Sequence, residues 1–233
     1  EIVKQTFSQA LSEWERLISK YPSSEETQSA IYMSAKVYEE ELGDLKKALE
    51  MYRKVYSGKY YSEAQEAIAK MTAKHLAIKT QKAYRTNETA KVNVSVRNIK
   101  KLSVRIYKLN LEEYFRKQHT IREIEKLDLA LIEPDKTWDV TIEKYVDYLP
   151  IEQEIELPVK GSGVYVTHIS DEELEGSTLV LSTDLDFILK ASRKEILVYV
   201  QNMLLNKPEA GARVMLSDRS EEHTSELQSR ITI

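Results

Sequence analysis

The hydrophobic period of this chain changes once, near Ala77, and that change excludes any single repeating architecture. Before Ala77 the apolar residues recur at three- and four-residue steps, the spacing that lines one face of a helix. After it they alternate with polar residues, the spacing of a strand with one dry face. One chain must therefore build a helical part and a β part, in that order.

In the helical part, Phe7, Ala10, Leu11, Trp14, Leu17, Ile18 and Tyr21 form one stripe, and Pro22 ends it. Ser23 with Glu26 reads as a capping box for a second helix that places Ala30, Ile31, Ser34, Ala35 and Tyr38 on one side. Gly43-Asp44 closes that helix and caps a third, with Ala48, Leu49, Tyr52, Val55 and Tyr56. Ser62 with Gln65 opens a fourth, with Ala64, Ala67, Ile68 and Met71 inward. Short helices joined by short turns stack as antiparallel pairs.

An internal repeat runs through this region, because Ala10, Trp14 and Leu17 return at a common offset as Ala48, Tyr52 and Val55. Together with Ala35, Tyr38, Gly43 and Asp44, this small-aromatic-aliphatic pattern resembles a tetratricopeptide repeat. Two departures stand out. The period is longer than the usual one, and the Glu39-Glu40-Glu41 run carries one extra residue.

Past Ala77, Val92, Val94 and Val96 alternate with Asn93, Ser95 and Arg97, and Leu102, Val104 and Ile106 alternate with Ser103, Arg105 and Tyr107. The two strands are joined by a tight turn at Asn98-Ile99-Lys100. A helical insert is expected over residues 111–127. Strands resume at TWDVTI, IEQEIELPV, GVYVTHI, STLVLS, DFILKA and EILVYVQNM. Regularly spaced strands with polar turns predict an antiparallel β-sandwich.

RNIKKLSVRIYKLN and the later GVYVTHI resemble the first macroglobulin domain of bacterial α2-macroglobulin-like proteins, a fibronectin-III-like sandwich. ILVYVQNMLLNKPEAGARVMLSD, with Lys207-Pro208, Gly211-Ala212 and Val214, is similar to the opening of the next such domain. The resemblance implies an α+β multidomain chain. Residues 1–76 would be the tetratricopeptide-like array and 77–190 the sandwich with its insert. Residues 191–218 would be the first hairpin of a partial second sandwich, formed by Ile196 to Met203 and Gly211 to Ser217.

Arg219 to Ile233 reads RSEEHTSELQSRITI, which resembles a translated sequencing adapter. It has neither a strand period nor a helical stripe, so residues 219–233 are expected to be a disordered artefact and the chain a fragment at both ends.

Chemistry is sparse. The chain has no cysteine, which excludes a thiolate ligand, a disulfide and a Cys nucleophile within these residues. A net charge of -4 argues against a general nucleic-acid surface, and no apolar run is long enough to span a bilayer. His75, His119, His168 and His223 lack ligand spacing, and His75 reads as a packing residue at a helix end. Gly161-Ser162-Gly163 precedes a strand rather than a helix, so it reads as a turn and not a phosphate cradle. Asp171, Glu172, Glu173, Glu175, Asp184 and Asp186 read as solvated loop acids rather than a calcium loop, since no glycine pivots them. Asn87-Glu88-Thr89 and Asn93-Val94-Ser95 match the glycosylation sequon, which matters only in a eukaryotic secretory pathway.

No catalytic, cofactor or metal residue is assigned, no cofactor is expected, and an enzyme is the least supported class. Tyr32, Tyr38, Tyr52, Tyr56 and Tyr60 are the residues that could line a concave face for a protein partner, with Tyr38 and Tyr52 favoured as packing residues. The resemblance implies the non-catalytic scaffold of a periplasmic or extracellular protease trap, with proteases as partners of the longer parent. The family's bait segment and thioester would lie outside these residues, and a membrane anchor could precede them. The competing reading is a cell-surface or outer-membrane binding protein with helical-repeat and sandwich modules.

Overall fold

The computed structural model describes residues 2–80, 83–118, 132–193 and 195–215. Within them the chain forms helices followed by antiparallel sheets, an α+β arrangement. It divides into two compact units. One comprises Glu1–Leu76, Ser95–Lys100 and Ile142–Glu152, and the other Ala77–Val94, Lys101–Thr141 and Gln153–Ile233.

In the helical unit, α1 (Ile2–Lys20) packs on α2 (Glu25–Lys36), α2 on α3 (Leu45–Tyr52), and α3 on α4 (Tyr61–Thr72). The cap of α2 is Ser24 rather than the expected Ser23: its hydroxyl accepts from Thr27 N–H at 3.2 Å. The reason is the turn after α1, in which Ser24 N–H donates to Tyr21 C=O, so the helix starts one residue later. Asp44 caps α3 as expected, accepting from Lys47 N–H at 3.2 Å. At α4 the expected Ser62 cap is replaced by Tyr60, which makes no side-chain cap, and Ser62 falls inside the first turn.

The extra residue in the Glu39-Glu40-Glu41 run has a definite shape. Residues Val37–Glu41 form a π-helical turn, and Leu42 N–H reaches back to Val37 C=O at 3.0 Å. One surplus residue in a helix is absorbed by widening one turn, which leaves the stripes on either side in phase. Gly43, at φ +66°, then stops the helix, and Asp44 N–H donates to Tyr38 C=O at 2.8 Å.

Ile31, Ala35, Ala48, Leu49, Tyr52, Val55, Ala64 and Met71 make the core of this unit, with Ile18, Tyr32, Tyr38 and Tyr148 packed against them. The two copies of the repeated triad differ in depth. Ala48, Tyr52 and Val55 are buried, whereas Ala10, Trp14 and Leu17 are only half-buried. His75 does not pack at a helix end; it is exposed and begins β1 (His75–Lys79), because α4 stops at Thr72 and the backbone is already extended at Ala73.

Asn98 holds the remaining pieces of this unit together. It adopts φ +59°, and its Nδ2 donates to Met71 C=O at 2.8 Å and Ala73 C=O at 3.0 Å, at the end of α4. Its Oδ1 accepts from Tyr148 N–H at 2.9 Å. One amide side chain thus uses donors and acceptor on two segments far apart in sequence.

In the β unit, β1, β2 (Lys91–Arg97) and β5 (Ile151–Glu156) form one sheet in the order β1-β2-β5. A second has the order β4-β3-β6-β7, from β3 (Lys101–Leu109), β4 (Lys136–Thr141), β6 (Gly163–Ser170) and β7 (Glu175–Ser182). The expected alternation holds for Val92, Val94, Leu102, Val104 and Ile106, which are buried, but Tyr107, expected on the polar face, is buried as well. On the neighbouring strands Tyr165, Thr167, Ile169 and Val180 are buried with them, and the register places Val104 opposite Ile169.

Contacts of β1, Thr80 and Tyr84 with β7 link the sheets. Gly176 leaves room for Ile78, whose Cδ1 would lie 2.9 Å from a Cβ there. Thr80 and Thr178 hydroxyls are 2.8 Å apart, and Tyr84 N–H donates to Leu181 C=O. Of the expected insert at 111–127, α5 (Leu111–Gln118) is observed and the rest lies outside the described residues, as do His119, His223, Ser217 and the tail 219–233.

The strand DFILKA departs from the boundary expected at residue 190. β8 (Leu185–Ala191) pairs with β9 (Ile196–Asn202) in a third sheet of order β10-β9-β8, where β10 is only Lys207–Pro208. A four-residue turn, closed by Ser192 and Glu195, joins β8 to β9 locally, and local pairing prevails over a place in the preceding sheets. The strand expected at Gly211 to Ser217 is absent over its described residues 211–215.

Candidate functional site

The five tyrosines singled out in the helical unit fall into three environments. Tyr52, on the inner face of α3, is 1% exposed, and its hydroxyl donates to Glu39 Oε2 at 2.7 Å. Burial, and next the Glu39 carboxylate, push its phenol well above the ordinary range. Tyr38 is half-buried, with the Lys47 ammonium 5.5 Å above its ring. Both serve packing.

Tyr32 and Tyr60 are stacked, with ring centroids 4.5 Å apart and planes at 4°, and Tyr32 also meets Tyr52 at 5.7 Å in a tilted contact. Tyr56 is exposed, while its N–H donates to Gln28 Oε1 at 3.0 Å. Tyr32 and Tyr60 thus hold each other by ring stacking, whereas the Tyr56 ring is exposed and only its backbone is tied.

Asp171 and Asp184 are committed to backbone hydrogen bonds. Asp171 Oδ1 accepts from Glu173 N–H at 3.0 Å and Leu174 N–H at 2.7 Å, closing the β6–β7 hairpin. Asp184 accepts from both Thr86 N–H at 2.8 Å and Thr86 Oγ1 at 2.6 Å, which holds its carboxyl below the usual range. Asp186 faces Arg85 at 3.5 Å. Among the described residues no three His, Asp or Glu side chains converge in a way that could hold a metal ion.

Gly161 sits at φ +72° in the turn before β6, as its sequence position implies, and Tyr165 Oη donates to Lys160 C=O at 2.8 Å across it. The turn borders an open groove of about 680 Å³, lined by Lys108, Asn110, Asp135, Ser162, Gly163 and Ser182 among others. Asp135 Oδ2 there accepts from Lys108 N–H, so its charge is already engaged.

One constellation was not legible in the sequence. The β6–β7 register sets His168 opposite Ser177, with Nδ1 and Oγ 3.0 Å apart, and Glu175 Oε2 lies 3.6 Å from Nε2. A hydroxyl, an imidazole and a carboxylate in line are the parts of a nucleophile-base pair, but all three stand on ladder strands. β7 is the outer strand of its sheet, so the β6–β7 ladder engages only alternate β7 amides.

Burial holds the imidazole below its ordinary value; Glu175 works in the opposite direction, and Arg105, opposite on β3, adds to the lowering. The folded chain thus prefers neutral His168. Its stability contribution is full above pH 6.5 and is lost as pH falls from there through the depressed folded value. Titration of the His168 ring proton by NMR should give a midpoint below 6.5, shifted further down by Glu175→Gln and up by Arg105→Gln. A midpoint at or above 6.5 in the parent sequence contradicts the buried placement.

No helix among the described residues is long and apolar enough to cross a membrane. No family model matches this sequence, and no curated protein sequence matches it. Among solved structures, the chain is similar to a crystal structure of native alpha-2-macroglobulin from Escherichia coli spanning three domains. The TM-score is 0.44 and the identity 14%, with 57% of this chain and 47% of that chain covered, so this chain spans about half the length of that structure.

Proposed function

We propose that this chain is the non-catalytic amino-terminal scaffold of a bacterial α2-macroglobulin-like, broad-spectrum protease inhibitor that works in the periplasm or outside the cell. The observation that carries the reading is the order of parts. A helical array comes first, and then a three-stranded and a four-stranded sheet with apolar interior faces, the strand count of a fibronectin-III-like macroglobulin sandwich. A separate sheet follows, made of β8, the Val-containing strand β9 and the short β10 at Lys207–Pro208, as at the start of a further domain.

The tetratricopeptide-like helices act as a docking or spacer element, with Tyr32, Tyr56 and Tyr60 at their partner-facing edge. Trapping a protease needs a segment to be cut and a shell to close, and the residues here supply the frame for both. The purified 233-residue chain is therefore expected to leave broad-specificity proteases fully active on protein and on short peptide substrates. Inhibition by this chain alone would place the function in residues assigned here to the frame.

A further inference from the structure

We propose that β8 is a self-pairing edge, by which two copies of this chain join through antiparallel pairing of β8 with β8 about a twofold axis at Ile188. The inference is independent of the inhibitor reading. β8 is the outer strand of its sheet, and every one of its residues is exposed, including Phe187 at 65% and Ile188 at 62%. An exposed, apolar, unpaired strand edge is a template for another strand.

The hydrogen bonds set the phase of that edge. Met203 N–H donates to Asp184 C=O, and Ser192 N–H to Glu195 C=O, at the two ends of the β8–β9 ladder. Residues 184 and 192 thus face β9, and so do the even-numbered positions between them; the odd-numbered positions aim their N–H and C=O outward. Leu185 C=O, accordingly, accepts from Arg85, and Phe187 N–H meets the Asp186 carboxylate at 2.9 Å. Phe187 C=O and both backbone groups of Leu189 have no partner among the described residues.

The sequence of the strand is complementary to itself about Ile188. Antiparallel pairing centred there sets Phe187 against the second copy's Leu189 as a hydrogen-bonded pair, so the unpartnered groups of both residues are satisfied. Ile188 faces its own symmetry mate. Asp186 falls opposite Lys190 of the second copy and Lys190 opposite its Asp186, two ion pairs across the axis. The contact of Asp186 with Arg85 is loose, at 3.5 Å and 62% exposed, and leaves the carboxylate open to the new partner. A shift by one residue turns the outward hydrogen-bonding positions out of phase, and a shift by two separates Asp186 from Lys190, so the two ion pairs favour this register and a second copy as the occupant.

Sedimentation of the full 233-residue chain over a concentration series should show a monomer–dimer equilibrium. Asp186→Lys or Lys190→Asp alone puts like charges opposite each other twice per dimer and should raise Kd about tenfold or more. The double variant Asp186→Lys/Lys190→Asp should return Kd to within about threefold of the parent, which a mere loss of the Arg85 contact would not do. Circular dichroism of each variant checks that it is folded.

A second measurement stands apart from charge. The chain has no cysteine, so Ile188→Cys should give a disulfide-linked dimer under mild oxidation, because a facing pair that lacks mutual hydrogen bonds brings its Cα atoms within bridging distance. Tyr199→Cys, one strand inward, should not. A chain that stays monomeric throughout, a dimer indifferent to both single charge changes, or equal crosslinking at Tyr199 overturns the proposal.

Discussion

Asn98→Ala is expected to destabilise the helical unit by about 2–3 kcal/mol, read from the denaturant midpoint. The side chain makes three hydrogen bonds, to Met71 C=O, Ala73 C=O and Tyr148 N–H; removing it strands the partly buried Met71 C=O and Tyr148 N–H, each at a cost of roughly 1 kcal/mol or more, while the exposed Ala73 C=O keeps Arg97 Nε at 3.2 Å. The backbone at φ +59° adds about 1 kcal/mol for alanine, which Asn98→Gly avoids. Glycine should therefore be the milder change. Asp at this position keeps the acceptor for Tyr148 but turns a carboxylate toward two carbonyls, so it should cost at least as much as glycine. Equal effects for alanine and glycine would show that the backbone conformation contributes nothing.

Tyr52→Ala should be the most damaging single change in the helices, at about 4 kcal/mol, because it empties the centre of the cluster formed by Leu49, Val55 and Ala64. It also removes the ring against which Tyr32 packs, and Tyr32 in turn is the inner half of the stack with Tyr60. Tyr52→Phe keeps the volume and loses only the bond to Glu39, which is half-buried and can reach water, so about 1 kcal/mol is expected. The ratio of the two effects separates packing from hydrogen bonding. If phenylalanine proves as harmful as alanine, the buried hydroxyl and not the ring dominates.

The legible parts of this fold were those with local causes. The switch from three- and four-residue steps to alternation, the Asp44 cap and the buried alternation of Val92, Val94, Leu102 and Val104 each follow from neighbours in sequence. The surplus residue at Glu39-Glu40-Glu41 was visible, but not the π turn that absorbs it, because a loop and a widened turn have the same length. Two adjacent serines competed for one cap, and the turn hydrogen bond from Ser24 to Tyr21 chose between them. The assignment of β8 depended on pairing: Leu185–Ala191 alternates equally well for either sheet, and only the short turn to β9 decides.

The same limit applies to the site residues. Nothing local connects His168 with Ser177 and Glu175 until the hairpin register is known, and Arg105 joins them from a strand more than sixty residues earlier, a separation at which one sequence carries little pairing information. Asn98 was legible as a turn residue, whereas its hold on the end of α4 and on Tyr148 was not. Tyr52 is inward as its spacing suggested, but Tyr32 packs half-buried against the core just as Tyr38 does, and the stacking of Tyr32 on Tyr60 needed the turn that follows α3.

The central claim, that these residues frame a protease trap, is tested most directly on the longer protein to which the proposal assigns them. A protease is incubated with that protein, and its residual activity is measured on a large protein substrate and on a short chromogenic peptide. Enclosure is steric and leaves the protease active site free, so hydrolysis of the large substrate should fall by tenfold or more while hydrolysis of the peptide is nearly unchanged. Equal loss on both substrates, or no loss on either, would contradict the account.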